Sequence, residues 1–335
     1  MRHSRGIALI LVLFLIALAS IVVLGLTHSS YLAGRLNQAA TRSLQAEYLL
    51  KSAINVARAI IGEDTTPEDS MEDLWAPFMA TQTVDAAMLG LSEPGLRIQL
   101  EITPEESKFP IREILTRDNG AVSDKWRDAA AKLFADLGFD NDETEVEQSR
   151  YFAKRHFKAQ ELVAMLIDYM DADKDSYGGD GSFSGGFESM LPEDLFPNVR
   201  MKRVGELGNI PGFTPKRRRV LMPLLTVFGN SRININLAPP VIIQSLHSEI
   251  TSSHVDAIVE YRNSQPFDDQ SKNSELQNIL GSTIRDEILT MIDIKSRWFQ
   301  VIAKVDYGTS SYFMRAYLSK SEDGELPAIR SVELF

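Results

Sequence analysis

The chain has 335 residues, 44% of them hydrophobic, with 46 acidic against 35 basic side chains and a formal charge of −11. That length buries one large core or two ordinary ones, and the negative balance argues against non-specific polyanion binding by the molecule as a whole. The lack of cysteine excludes disulfides, thiolate metal sites and a cysteine nucleophile, while 14 Pro and 20 Gly exclude low-complexity disorder.

Met1 to Gly6 is a short basic leader with Arg2 and Arg5, and Ile7 to Leu26 follows with 20 uncharged residues. A helix of that length spans roughly 30 Å, the thickness of a bilayer's hydrocarbon core. The arginines predict a cytoplasmic leader and a chain that continues across the membrane. Three readings compete: a plain signal anchor, a signal peptide cut after Ala17-Leu18-Ala19, and a cut ahead of the apolar run. Ile21-Val22-Val23-Leu24 weighs against the second, because a cleaved signal turns polar there. The third places cleavage between Gly6 and Ile7, where the basic leader meets the apolar helix without a spacer. That junction resembles the substrates of prepilin peptidases, and Gly6 offers no side chain to hinder a protease approaching the backbone.

From Thr27 to Ile61 the chain has no Pro and one Gly, and Leu32, Leu36, Ala40 and Leu44 recur every four residues, followed by Leu50, Ile54, Ala57 and Ile61. Gly62 and Thr66-Pro67 end the run. Membrane helix and amphipathic helix therefore form one rod of about 55 residues, roughly 80 Å long. Its distal half is expected to pack on the chain's own globular part. Half in lipid and half on a globular domain, such a rod has the shape of a type IV pilin-like subunit.

Leu96 to Ile102 alternates strictly and predicts a half-buried strand. Strand signals then stop for almost two hundred residues. Helices are predicted over Asp124–Leu137, Glu143–Met170, Lys216–Val227 and His254–Arg262. Strands return at Trp298–Tyr307 and Ser311–Leu318, around a turn at Gly308-Thr309-Ser310, and at Ile329–Leu334. One strand before the helices and a hairpin after them can share an antiparallel sheet. The expected class is α+β: a type IV pilin-like fold, with a long N-terminal transmembrane and amphipathic helix on an antiparallel sheet, interrupted by a large, mainly α-helical insertion. The expected division is a leader over 1–6, the helix over 7–61, the sheet domain over 62–102 and 296–335, and the insertion over 103–295.

Four segments carry a family resemblance: R-G-I-A-L-I-L-V-L at Arg5–Leu13, L-I-D-Y-M-D-A-D at Leu166–Asp173, G-E-L-G-N-I-P-G at Gly205–Gly212 and I-N-I-N-L-A-P-P at Ile233–Pro240. In this order and spacing they resemble the minor pseudopilin K family of type II secretion systems. The resemblance implies a non-enzymatic subunit at the tip of the pseudopilus that helps start its assembly and the export of folded proteins across the outer membrane. It implies cleavage by prepilin peptidase and N-methylation of Ile7. Its partners would be other minor pseudopilins, the major pseudopilin and the inner-membrane assembly platform. The expected location is the inner membrane of a Gram-negative bacterium, single-pass, with the C-terminal domain in the periplasm. Most pilins carry Glu at the fifth residue after the cut, where it pairs with the N-terminal amine of the subunit ahead; here that residue is Leu11. An unpartnered carboxylate in lipid is costly, so Leu11 suits a subunit with none ahead.

Asp140 to Val199 holds 14 acidic and 5 basic residues. Asp171, Asp173 and Asp175 alternate into a glycine-rich turn with Asp180, and Glu188 follows; such oxygen donors suit Ca²⁺. The EF-hand match is incomplete, with Ser176 at the glycine position and Ser182 at the bidentate Glu, so Asp180 and Glu188 are the candidates to complete the set. The family's D-x-x-D-x-D corresponds to Asp168, Asp171 and Asp173, and its downstream Asn to Asn198. A solvated acidic surface loop is the plain alternative. Nothing here requires zinc or a redox metal.

The competing function is a membrane-anchored helix-hairpin-helix binder of nucleic acid. Lys216-Arg217-Arg218-Arg219 is basic, and both Ile210-Pro211-Gly212 and the Ile233–Arg262 frame resemble such hairpins. The second hairpin, at His247-Ser248-Glu249-Ile250, has no glycine to approach phosphate and presents an anion, so no nucleic-acid partner is expected. His3, His28, His156, His247 and His254 fit no catalytic spacing; His156 is expected on the surface of a charged helix.

Overall fold

The computed structural model describes residues 4–84, 96–118, 120–141, 151–179, 183–192, 194–229, 231–307, 310–320 and 325–335. Helix α1 (Ser4–Gly62) is continuous over 59 residues. Among the described residues it is the one helix long and apolar enough to cross a membrane. From Leu9 to Gln45 every residue is exposed, including Leu32, Leu36 and Leu44. Farther on, Ala46, Leu50, Ala53, Ile54, Ala57 and Ile61 are buried on one face. Helical spacing thus splits α1 into a free apolar half and a half docked on the domain.

That face lies on an antiparallel sheet whose strands run β1 (Gln82–Val84), β2 (Leu96–Pro104), β7 (Trp298–Tyr307), β8 (Ser310–Ser319) and β9 (Ala328–Leu334), side by side in that order. Alternation sends Ile98, Leu100 and Ile102 of β2 inward, with Phe299, Val301, Ala303 and Val305 of β7 and Met314, Ala316 and Leu318 of β8. Each large apolar side chain removed from water there contributes roughly 1.5–3 kcal/mol. Trp75 closes the end of this core, edge-on to Phe299 at 5.2 Å.

Between β2 and β7 the chain builds a second core, running from Phe109 to Ile294. It holds β3 (Phe109–Pro110), α2 (Asp124–Asp136), α3 (Ala159–Met170), α4 (Pro215–Leu221), β4 (Leu225–Thr226), β5 (Ile233–Asn234), α5 (Pro240–Ser245), α6 (Ser252–Ser264), α7 (Ser271–Leu280), α8 (Ser282–Ile288) and β6 (Ile292–Asp293). The two-residue strands pair in parallel, β3 with β4 and β5 with β6, so strand structure does not stop in this region as its sequence pattern suggested.

Two expected helices are shorter than predicted. Of the Glu143–Met170 segment, 143–150 lie outside the described residues, 151–158 are turn and extended chain, and the described helix begins at Ala159. Lys154 is left-handed at φ 66°, Phe152 and Phe157 turn into the core, and the Ala159 N–H donates to Asp140 at 2.7 Å. His156 is accordingly half-buried on this non-helical segment, not on a helix surface. Helix α4 stops at Leu221 because Leu224 must present its carbonyl to the Phe109 N–H at 2.8 Å. The predicted hairpin turn at Gly308 and Thr309 lies outside the described residues.

Candidate metal centre

Helix α3 buries ten of its twelve side chains, and its last turn places Asp168 fully out of solvent beneath the acidic loop. Asp168 Oδ1 accepts the Tyr177 N–H at 2.6 Å, while Oδ2 accepts the N–H groups of Phe187 and Glu188 at 2.6 and 3.0 Å. Burial pushes this carboxyl up against the pull of those three amides. Gly186 is required here, since a Cβ would stand 2.1 Å from Asp168 Oδ2. One buried carboxylate thus clasps both ends of the loop, bringing Tyr177 and Glu188 to one place.

Around that clasp the remaining donors gather. Asn198, left-handed at φ 48°, donates Nδ2 to Glu188 Oε1 at 3.0 Å and to the Asp173 carbonyl. Asp171 Oδ1, Glu188 Oε2 and Asn198 Oδ1 are buried without a hydrogen-bond partner. Burial, then the charges of Asp173, Asp168 and Glu188, pushes Asp171 up to about 7. Glu188 is raised as well, first by burial and then by Asp168, Asp173 and Asp175, against its bond from Asn198. Asp173 and Asp175 are exposed, with the Asp175 N–H donating to Asp173 Oδ1 at 2.9 Å. Asp180 lies outside the described residues, as does Ser182.

The fold therefore brings Asp168, Asp171, Asp173, Glu188 and Asn198 together, with Asp175 at the rim. A buried acceptor left without a donor costs about 1–3 kcal/mol, and three such oxygens here are what a hard cation would satisfy. Among the described residues, no three of the loop's carboxylates each bring an oxygen within 4.8 Å of the others. Any ligand set would thus mix carboxylate, amide and carbonyl oxygens, which suits the tolerant coordination of Ca²⁺. Asp168, with both oxygens engaged by amides, positions the loop.

The basic run has a different fate from that of a phosphate contact. Arg217 is buried and donates to the carbonyls of Gly212, Phe139 and Phe157 at 3.0, 3.2 and 2.8 Å. Gly212, at φ +90°, turns toward Leu162, where a Cβ would come within 2.6 Å. The hairpin glycine and the middle of the basic run both serve the core. The I-N-I-N segment is also a joint: Asn234 donates to the Asp69 carbonyl and Ser296 Oγ, and Asn236 brackets the Phe267 peptide from both sides. Sequence reading found these motifs but not that role.

A long exposed helix running onto an antiparallel sheet, with a helical insertion between two central strands, defines a type IV pilin-like subunit. The family described as type II secretion system (T2SS), protein K, matches residues 107–230 and 233–294, together more than half of the chain. The chain belongs to that family, and is a minor pseudopilin of type II secretion. It is 24% identical over 335 residues to the type II secretion system protein K of Pseudomonas aeruginosa, covering 97% of this chain and 91% of that protein. The protein K of Pectobacterium carotovorum subsp. carotovorum is 23% identical over 341 residues, covering 95% and 93%. A solved GspK-GspI-GspJ complex from enterotoxigenic Escherichia coli contains a chain of similar fold, with TM-score 0.62 and 12% identity, covering 89% of this chain and 99% of that one.

Proposed function

We propose that this chain caps the tip of a type II secretion pseudopilus, helps start its assembly, and so serves the export of folded proteins across the outer membrane. It enters the inner membrane as a prepilin, is cut by prepilin peptidase between Gly6 and Ile7, and is N-methylated on Ile7. The domain beyond α1 then stands in the periplasm of a Gram-negative cell, and Ca²⁺ orders its acidic loop. Its partners are other minor pseudopilins, a reading supported by the complex in which the similar chain was solved, with the major pseudopilin below and the inner-membrane platform at the base.

The observation that carries this reading is Leu11, more than half exposed on the apolar half of α1, where shaft subunits carry a carboxylate. A subunit inside the shaft would lack its pairing with the amine ahead, and its second globular core would crowd the neighbouring heads. At the tip both constraints vanish. The free stripe of Leu32, Leu36 and Leu44 then faces partners beside and below. Imaging labelled pseudopili tests the assignment: label is expected at one end of each filament, and label along the shaft of the unmodified protein overturns it. The mass of the mature N-terminus tests the processing, which fails if the chain begins at Met1 or Ser20 in cells with active prepilin peptidase.

A further inference from the structure

Among the described residues, carboxylates crowd most closely outside the acidic loop. Asp64, Asp69 and Asp73, on the segment after α1, are 7, 3 and 5% exposed, and each offers an oxygen within 4.8 Å of the others. Asp64 Oδ2 accepts Trp75 Nε1 at 3.2 Å and Lys320 Nζ at 3.0 Å, and Asp73 Oδ2 accepts the Ser70 N–H at 2.8 Å. Thr66 Oγ1 lies 2.7 Å from Asp64 Oδ1 and 3.1 Å from Asp73 Oδ1, while Asp69 Oδ2 accepts the Ser296 N–H. Asp69 Oδ1 is buried with no hydrogen-bond partner; Lys320 Nζ stands off at 3.8 Å, nearer to Asp64. When all three acids are ionised, Lys320 leaves a net charge of −2 among these four groups, the complement of a divalent ion. Asp64, Thr66, Asp69 and Ser296 line a cleft of about 610 Å³, rimmed by the exposed Lys295, Arg297 and Glu325, which gives an ion a way in.

We infer that Asp64, Asp69 and Asp73 form a divalent-cation site separate from the acidic loop, taking a hard, oxygen-preferring ion such as Ca²⁺. The donors are carboxylates and one hydroxyl, with no nitrogen or sulfur, which favours the Ca²⁺, Mg²⁺ and Mn²⁺ class over zinc or copper. Lys320 moves aside from Asp69 while keeping Asp64, and Asp69 Oδ1 gains the partner it lacks. The Asp69 N–H donates to the Ile294 carbonyl, and its own carbonyl accepts from Asn234, so the ion pins the end of α1 to the point where the insertion returns to the sheet.

Trp75, in contact with Asp64, makes the site optically addressable. Full-length Asp173→Ala protein in detergent, which weakens the loop site, is titrated with Tb³⁺ under tryptophan excitation. Sensitised emission is expected, removed by excess Ca²⁺ and lost in Asp69→Asn. Absence of emission, or emission that survives Asp69→Asn, overturns the proposal. Trp75→Phe decides independently of how Asp69→Asn folds: with Trp298 left as a second, less direct donor, the emission drops sharply if the ion sits beside Asp64, and undiminished emission places it elsewhere and refutes the site.

Discussion

Asn198 Nδ2 donates to Glu188 Oε1 at 3.0 Å, yet Asn198 Oδ1 and Glu188 Oε2 are buried without partners. The pair is thus half satisfied, and its free oxygens join Asp171 Oδ1 beside the Asp168 clasp. An ion bound by the folded form alone stabilises it by about 2.7 kcal/mol at a hundredfold excess over Kd. Calcium should therefore raise the melting temperature of the domain above its value in chelator, and Asp171→Asn or Asp173→Ala should remove the loop's share of that rise. Coincident melting curves for the unmodified protein with calcium and with chelator would sink the loop site.

Arg217 predicts an order of effects opposite to that of a nucleic-acid contact. Its guanidinium is buried against three carbonyls and lies over the Phe139 ring at 5.2 Å. Arg217→Ala removes all three donations from the interior and should cost about 3 kcal/mol in denaturant unfolding. Lys216→Ala and Arg219→Ala, at exposed positions of α4, should leave stability unchanged. If the three variants unfold alike, the interior role of Arg217 is wrong.

What could be read before the fold was known tracks the length over which a pattern is sustained. Helix α1, β2, β7 and β8 repeat their spacing over seven or more residues, and Trp298–Tyr307 matches β7 end to end. Helices α5, α7 and α8 have six to ten residues and no strong apolar stripe, and the two-residue strands cannot express a period at all. The acidic loop announced its donors by composition, while the clasping role of Asp168 depends on amides nine to twenty residues away. Arg217 was misleading for a related reason: charge predicts solvent unless the fold supplies carbonyls in its place. Asp64, Asp69 and Asp73 carry no motif; Thr66 links two of them locally, and Ser296 and Lys320 return from the far end of the chain to hold Asp69 and Asp64.

Glu106 sets the pH response at the junction of sheet and insertion. It follows β2, is 2% exposed, and accepts the Trp298 N–H through Oε2 at 3.1 Å, while Oε1 has no hydrogen-bond partner. Burial pushes its carboxyl from 4.5 up to about 8 against the pull of the Trp298 and Arg297 amides, with the Glu105 charge adding to the rise. The folded state therefore keeps a proton that the unfolded state releases between those two values. Stability from this group is full below the unfolded value and is lost as pH rises toward about 8. Glu106→Gln keeps an acceptor for Trp298 and removes the titration. It should match the unmodified protein in acid, exceed it by on the order of a few kcal/mol at the alkaline end of the window, and flatten the profile between. Comparing the two proteins cancels the contributions of other titrating groups, including Asp69 and Asp171. Denaturant midpoints measured across this pH range should diverge steadily, and parallel profiles would show that Glu106 stays ionised in the fold.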